Sequence, residues 1–221
     1  MPYQVIRMMK RLRFQFGRGD GLKFLSHLDM MRLWPRIFRR AGIDLAYSEG
    51  FNGHPRLAVA APLAVGWTGE AELMDVWLDT SLPAESILTC ISRKLPEDLS
   101  IGQGMFVPEE APSLQSQIRF AEYRILSVID RSAGEVGQAV DCLLGLSTLD
   151  WSYQRDEETK RYDLRAQIET ISVENVDGDN VSLLMRLKND PSGSGRPEQV
   201  CLALGFRGHP LKIHRTRLVL A

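Results

Sequence analysis

Residues 10–108 and 118–220 carry the same order of elements on either side of PEEAPSLQSQ (108–117), and that duplication limits the fold more than any other feature. RLRFQFGR (11–18) alternates Leu12, Phe14 and Phe16 against Arg11, Arg13 and Gln15. A period of two predicts a strand with one apolar and one wet face. RGDG (18–21) is turn chemistry. Ser26 followed three residues later by Asp29 has the spacing of a capping box. It predicts a helix from about His27 to Ala41, ended by Gly42, with Leu28, Met31, Trp34, Phe38 and Ala41 on one face. Pro35 removes an interior hydrogen bond, so a kink near 31–34 or two shorter helical pieces is expected. IDLAYS (43–48), RLAVAAPLAVG (56–66) and AELMDVWLD (71–79) read as strands, with Pro62 making the middle one an edge or bulged strand. A helix over 81–96 and a strand over 98–108 complete the first stretch.

PEEAPSLQSQ changes the texture, with prolines, acids and polar filler, and marks a boundary. The order then repeats. IRFAEYRILSVI (118–129) is a strand and EVGQAVDCLLGL (135–146) a helix. DWSYQRD and KRYDLRAQIETISV are two strands around DEET. VDGDN turns into the strand VSLLMRLK (181–188). RPEQVCLALGF (196–206) is a helix with Pro197 in its first turn, and PLKIHRTRLVL (210–220) is the last strand. Less one short strand each, both stretches reduce to β-α-β-β-α-β, the split βαβ plan. The expected fold class is therefore α+β: two tandem ferredoxin-like (split βαβ) domains with antiparallel sheets, over 1–109 and 110–221.

A chain of 221 residues, 44% apolar and 25% charged, has the composition of an ordinary globular protein. No apolar run reaches the roughly 18–20 residues that span a bilayer. The start, MPYQVIRMMKRLRF, is basic and too short in apolar length for a signal peptide. A cytoplasmic protein without a membrane partner is expected. The three cysteines, Cys90, Cys142 and Cys201, sit far apart in apolar runs and read as buried reduced thiols. They form no CxxC pair and no clustered triplet, so neither a zinc site nor an iron–sulfur cluster of the chain's own is expected.

The net charge of −1 hides an asymmetry. Residues 1–60 hold 11 Lys and Arg against 4 Asp and Glu, and residues 196–221 hold 5 against 1, while the middle is acidic. Basic ends that meet in space would make a face for phosphate or nucleic acid. Arg32, Arg36, Arg39 and Arg40 form a stripe on the first helix, and Arg56, Arg215 and Arg217 are candidates to join it. In EGFNGHP (49–55), Gly50, Asn52 and Gly53 can take positive φ and curl backbone N–H groups into an anion nest. Within it, Asn52 and His54 are anion-binding candidates, and Phe51 either stacks a base or anchors the loop in the core. His27, Asp29 and His54 are the catalytic candidates, as an acid–base set, although no complete catalytic motif is present. GSGRP (193–197) lacks the lysine and spacing of a Walker loop and reads as a connection.

SHLDMMRLWPRIFRRAGIDLAYSEGFNGHPRLAVAAPLAVG (26–66) resembles the opening signature of the radical-SAM-linked protein family. The likeness rests on Ser26 to Asp29, Arg39 to Gly42, Tyr47, Ser48, Gly50 to Asn52, His54, Pro55, Pro62, Leu63 and Gly66. Glu72 and Asp75 fit a later acidic pair, and GRPEQVCLALG (195–205) and IHRTRL (213–218) fit the C-terminal end. Gly53 stands where that family usually has proline. The family is an uncharacterised bacterial domain of unknown function, encoded beside or fused to a radical SAM protein. The resemblance implies a radical SAM partner that carries the iron–sulfur cluster and S-adenosylmethionine, with no cofactor in this chain. Three roles stay open: an accessory protein that binds and presents RNA, an RNA-processing or RNA-modifying enzyme using His27 and His54, and a structural docking scaffold.

Overall fold

The computed structural model describes residues 9–155 and 158–221, and the chain divides into two compact units, 1–117 and 118–221. The basic first eight residues, and Asp156 and Glu157 of the DEET turn, lie outside the described residues. Both units are mixed α+β, and every strand pairing within them is antiparallel.

The first unit runs β1 (Met9–Arg18), α1 (His27–Arg40), β2 (Leu57–Val59), β3 (Thr68–Asp79), α2 (Ala84–Ser92), β4 (Leu99–Val107) and a single turn, α3 (Leu114–Gln117). Its strands lie in the order β4-β1-β3-β2. One side of β1, with Leu12, Phe14 and Phe16, packs with Met74, Val76 and Leu78 of β3 against Met30, Trp34, Ile37 and Phe38 of α1 and Ile87 and Ile91 of α2. Trp34 is fully buried at the centre, its ring edge-on to Phe14 at 5.5 Å and to Phe16 at 5.2 Å. Edge-on aromatic pairs of this kind stabilise beyond their buried area.

Four local expectations change here. Helix α1 is one helix with Pro35 inside it, not two pieces. Its buried stripe is Met30, Trp34, Ile37 and Phe38, while Leu28 is 57% exposed; at 3.6 residues per turn Leu28 falls on the side of the helix opposite Met30 and Ile37. IDLAYS and most of RLAVAAPLAVG are not strands. Leu45 makes one bridge to Leu78 and only Leu57–Val59 joins β3, because Pro55 and Pro62 offer no N–H to a ladder. Lastly, the side of β1 expected to be wet is dry at its start, with Arg11 buried and Arg13 half-buried, and wet only at Gln15, which is exposed. Arg11 is 4% exposed, and its guanidinium donates to the carbonyls of Glu109, Ala111 and Pro112. Gln115 Nε2 also donates to the Val59 carbonyl at 2.7 Å. The PEEAPSLQSQ connection is thus fastened across the first unit.

The second unit runs β5 (Ile118–Val128), α4 (Ala133–Gly145), β6 (Asp150–Arg155), β7 (Glu158–Asp163), β8 (Ile168–Asp177), β9 (Asn180–Asp190), β10 (Gly193–Ser194), α5 (Pro197–Ala203) and β11 (Lys212–Leu220). Its sheet is ordered β8-β9-β5-β11, with the two-residue β10 beside β9, and β6 and β7 form a separate hairpin. The long strand expected over 160–173 is broken at Leu164, which is fully buried, and at Arg165, whose side chain donates to the carbonyls of Leu144 and Ile168. Ser132 and Glu135 form a capping box at the start of α4, the same device that Ser26 and Asp29 form at α1.

All three cysteines are free, but only Cys201 is buried, and Cys142 is exposed. Burial pushes the Cys201 thiol up to about 12, with Glu198 adding to the shift. No helix among the described residues is long and apolar enough to cross a membrane.

Candidate nucleic-acid interface

Helix α1 organises the site. The Ser26 hydroxyl accepts from the Asp29 amide, and the Asp29 carboxylate accepts from the Ser26 amide at 3.3 Å and hydroxyl at 2.6 Å. The Ser26 hydroxyl bond holds the Asp29 carboxyl below its usual range, helped by the Ser26 amide and Arg32. Asp29 therefore serves as a cap. The apolar stripe of α1 fixes its rotation, and that rotation sends Arg32, Arg36, Arg39 and Arg40 to solvent. Arg32 lies 3.8 Å from Asp29. The guanidiniums of Arg36, Arg39 and Arg40 make no hydrogen bond or ion pair with any described residue. Positions 36, 39 and 40 are neighbours on a helix surface, so three unneutralised guanidiniums stand together.

Beyond α1 the chain turns at Gly42, at φ +72, and runs back along β3. The Ala46 amide donates to the Trp77 carbonyl at 2.7 Å, and the Arg56 amide donates to Ala46 at 2.8 Å. Between them, 47–55 closes as a loop. Tyr47 bridges Pro55, the Ser48 amide donates to the His54 carbonyl, and the His54 amide donates to the Ser48 hydroxyl. A groove of about 660 Å³ runs between α1 and the start of this loop, lined by Arg36, Arg39, Asp44 and Tyr47 among others. Tyr47 is 59% exposed, and Phe51 at the loop's far end is fully exposed. Phe51 is therefore no core anchor.

The expected nest is absent. Gly50 has positive φ, but Asn52 and Gly53 do not. A Cβ at Gly53 would lie 3.0 Å from the Ser48 carbonyl oxygen, so a larger residue there would need that carbonyl to shift slightly. The catalytic candidates do not converge: no hydrogen bond or ion pair joins His27, Asp29 or His54, apart from the cap. His27 lines a separate, small pocket with Arg18, Trp34 and Glu72, while His54 stays on the exposed loop. The described residues contain no group of three His, Cys, Asp or Glu placed to hold a metal ion.

Most other cations expected on a basic face are engaged. Asp75, 1% exposed, accepts from Arg11 Nε at 2.9 Å and Nη2 at 2.5 Å, and from Arg13 Nε at 2.9 Å and Nη2 at 3.1 Å. Arg18 donates to the carbonyls of Leu25, Ala64 and Trp67. Arg56 binds Glu109 at 3.1 Å and stacks 4.8 Å from the Trp77 ring centre. In the second unit Arg215 is 2% exposed, and Arg217 makes a two-pronged pair with Glu122 at 2.6 and 2.9 Å. That pair raises the Arg217 pKa and lowers that of Glu122. Among the described residues up to Arg56, the guanidiniums left without a hydrogen bond or ion pair are those of Arg36, Arg39 and Arg40, all on the outer side of α1. Tyr47, which the sequence does not single out as a binding candidate, lines the groove beside Arg36 and Arg39; its signal is a tyrosine next to a glycine-rich loop and just after an arginine-striped helix.

A two-unit α+β chain with a basic helix face is a class of architecture rather than an activity. Its family follows from comparison: the chain belongs to a family of uncharacterized proteins conserved in bacteria (DUF2344), whose model matches residues 11–197. No curated protein matches it. Among solved structures it is similar to a chain of a Cbf5–Nop10–Gar1 complex, at 12% identity and a TM-score of 0.52, over 99% of this chain and 51% of that one. It thus spans about half the length of the solved chain it matches, and the likeness concerns fold alone. Weaker similarity extends to a chain of the archaeal box H/ACA sRNP Nop10–Cbf5 complex, at 12% identity and a TM-score of 0.48, covering 99% of this chain and 50% of that one. A chain of an H/ACA RNP bound to a substrate RNA containing 2′-deoxyuridine is similar at 13% identity and 0.49, with the same shares covered.

Proposed function

We propose that this chain is a cytoplasmic accessory protein of a radical SAM enzyme and that it holds an RNA on the outer face of α1. The observation that carries the RNA reading is the trio Arg36, Arg39 and Arg40, exposed, adjacent and without a carboxylate partner. Elsewhere in this unit, arginines at comparable positions are neutralised by Asp75 or Glu109. A cluster left unpaired attracts phosphate through counterion release. The radical SAM link rests on the 26–66 signature and makes the reaction's iron–sulfur cluster and S-adenosylmethionine the partner's. Both units are read as ferredoxin-like domains. The strand orders β4-β1-β3-β2 and β11-β5-β9-β8, each with one helix in each crossover, support that assignment.

The test is binding of total RNA by the purified chain at two salt concentrations, beside the variant Arg36→Ala/Arg39→Ala/Arg40→Ala. Affinity should fall with salt, and the variant should flatten the slope of log K against log salt by about 2, since each phosphate contact to a single strand contributes about 0.7. Absence of binding at low salt would sink the RNA reading and leave docking to the radical SAM protein as the role to pursue.

A further inference from the structure

We infer that the RNA held by this face is single-stranded, with its phosphates on Arg36, Arg39 and Arg40 and its bases stacked on Tyr47 and Phe51. The inference rests on the RNA reading and adds the class of substrate. Two aromatic rings stand in solvent where an apolar ring gains nothing for folding: Tyr47 at 59% exposure and Phe51 at full exposure. Neither is on a loose tail. The Tyr47–Pro55 bridge and the two Ser48–His54 bonds close the loop that carries Phe51, so little ordering remains when a base lands on the ring.

Tyr47 shares its groove with Arg36 and Arg39, which joins a stacking surface to a phosphate-binding one. Aromatic rings beside a cationic track form a platform for successive unpaired bases. A duplex cannot use such a platform, because its base faces are inside the stack and the major groove of A-form RNA is too narrow for side chains. The trio spans about 6 Å of helix axis, roughly the rise of two nucleotides at about 3.4 Å each. The footprint is therefore short, and affinity should depend on stacking as well as on charge.

The experiment is fluorescence anisotropy of a labelled short oligouridine and of an RNA duplex of the same length at low salt. It uses the full chain, Tyr47→Ala, Phe51→Ala, their double variant and the α1 triple variant. The single strand should bind about tenfold more tightly than the duplex, and each aromatic variant should weaken it about tenfold. The salt slope should be unchanged in the aromatic variants and flattened in the arginine variant. Both rings are exposed, so an unaltered amide spectrum is expected and would confirm that the variants fold. Equal affinity for strand and duplex, or an unweakened double variant, would overturn the stacking inference while leaving the arginine face as an RNA site. Failure of the full chain to bind either RNA would overturn both.

Discussion

Two sets of arginines lie within thirty positions of each other in the first unit and are used in opposite ways. Arg11 and Arg13 on β1 point into a dry layer, where both guanidiniums close on the Asp75 carboxylate and Arg11 spends further donors on three carbonyls of the 109–112 segment. Arg36, Arg39 and Arg40 on α1 point outward and form no ion pair with a described residue, although Asp44 lines the same groove as Arg36 and Arg39. Charge alone therefore says little about function: one set holds the fold and the other is available to a ligand. What separates them is a partner. A buried guanidinium is tolerated only with an acceptor at each donor, whereas a solvated one needs none.

The comparison can be broken by substitution. The largest effect is expected for Asp75→Ala, which leaves two buried guanidiniums without their carboxylate. It should destabilise the protein by about 3–5 kcal/mol, read as a lowered midpoint in denaturant. A loss below about 1 kcal/mol would mean that the 109–112 carbonyls suffice to hold Arg11 and Gln117 Oε1 to hold Arg13. Next is Ser26→Ala, which removes the hydroxyl half of the α1 cap and should cost about 1 kcal/mol. In the α1 triple variant, stability should move by less than about 0.5 kcal/mol, while RNA affinity falls. A large stability loss there would show that the outward set is structural too.

The smallest signal is a pH effect at the same helix. Asp29 is held below its ordinary value of 3.8, chiefly by the Ser26 hydroxyl. The cap's charge-dependent contribution is complete above 3.8 and should disappear as pH falls through the lower, folded value. Following the Asp29 carboxyl carbon by NMR should give an inflection below 3.8, and Ser26→Ala should raise it. An inflection at or above 3.8 in the unaltered chain would contradict the capping geometry.

Some of this was legible in the chain itself. The helix start at His27, the Ser26–Asp29 cap and the outward stripe of four arginines follow from local spacing, because capping and helical periodicity act over only a few residues. The dry layer was not legible. Arg11 and Arg13 alternate with apolar residues as they would on a wet strand face, and their acceptor lies 64 and 62 positions away. Arg217 posed the same problem, since its pair with Glu122 spans 95 positions. The loop was half legible: glycines and Asn52 announced a turn, but which of them takes positive φ depends on how Ser48 and His54 lock its ends.

The sequence by itself determined the main helices and long strands, the class α+β and the existence of a basic helix, because each follows from periodicity and caps that neighbouring residues impose. Only the tertiary structure decided which cations are spent. Neutralising a guanidinium takes a carboxylate or carbonyl brought within about 3 Å, and such partners are supplied by strands and segments remote in the chain. Folding therefore neutralised many of the described basic residues in each unit and left Arg36, Arg39 and Arg40 unpaired on α1, with Tyr47 in the groove beside Arg36 and Arg39.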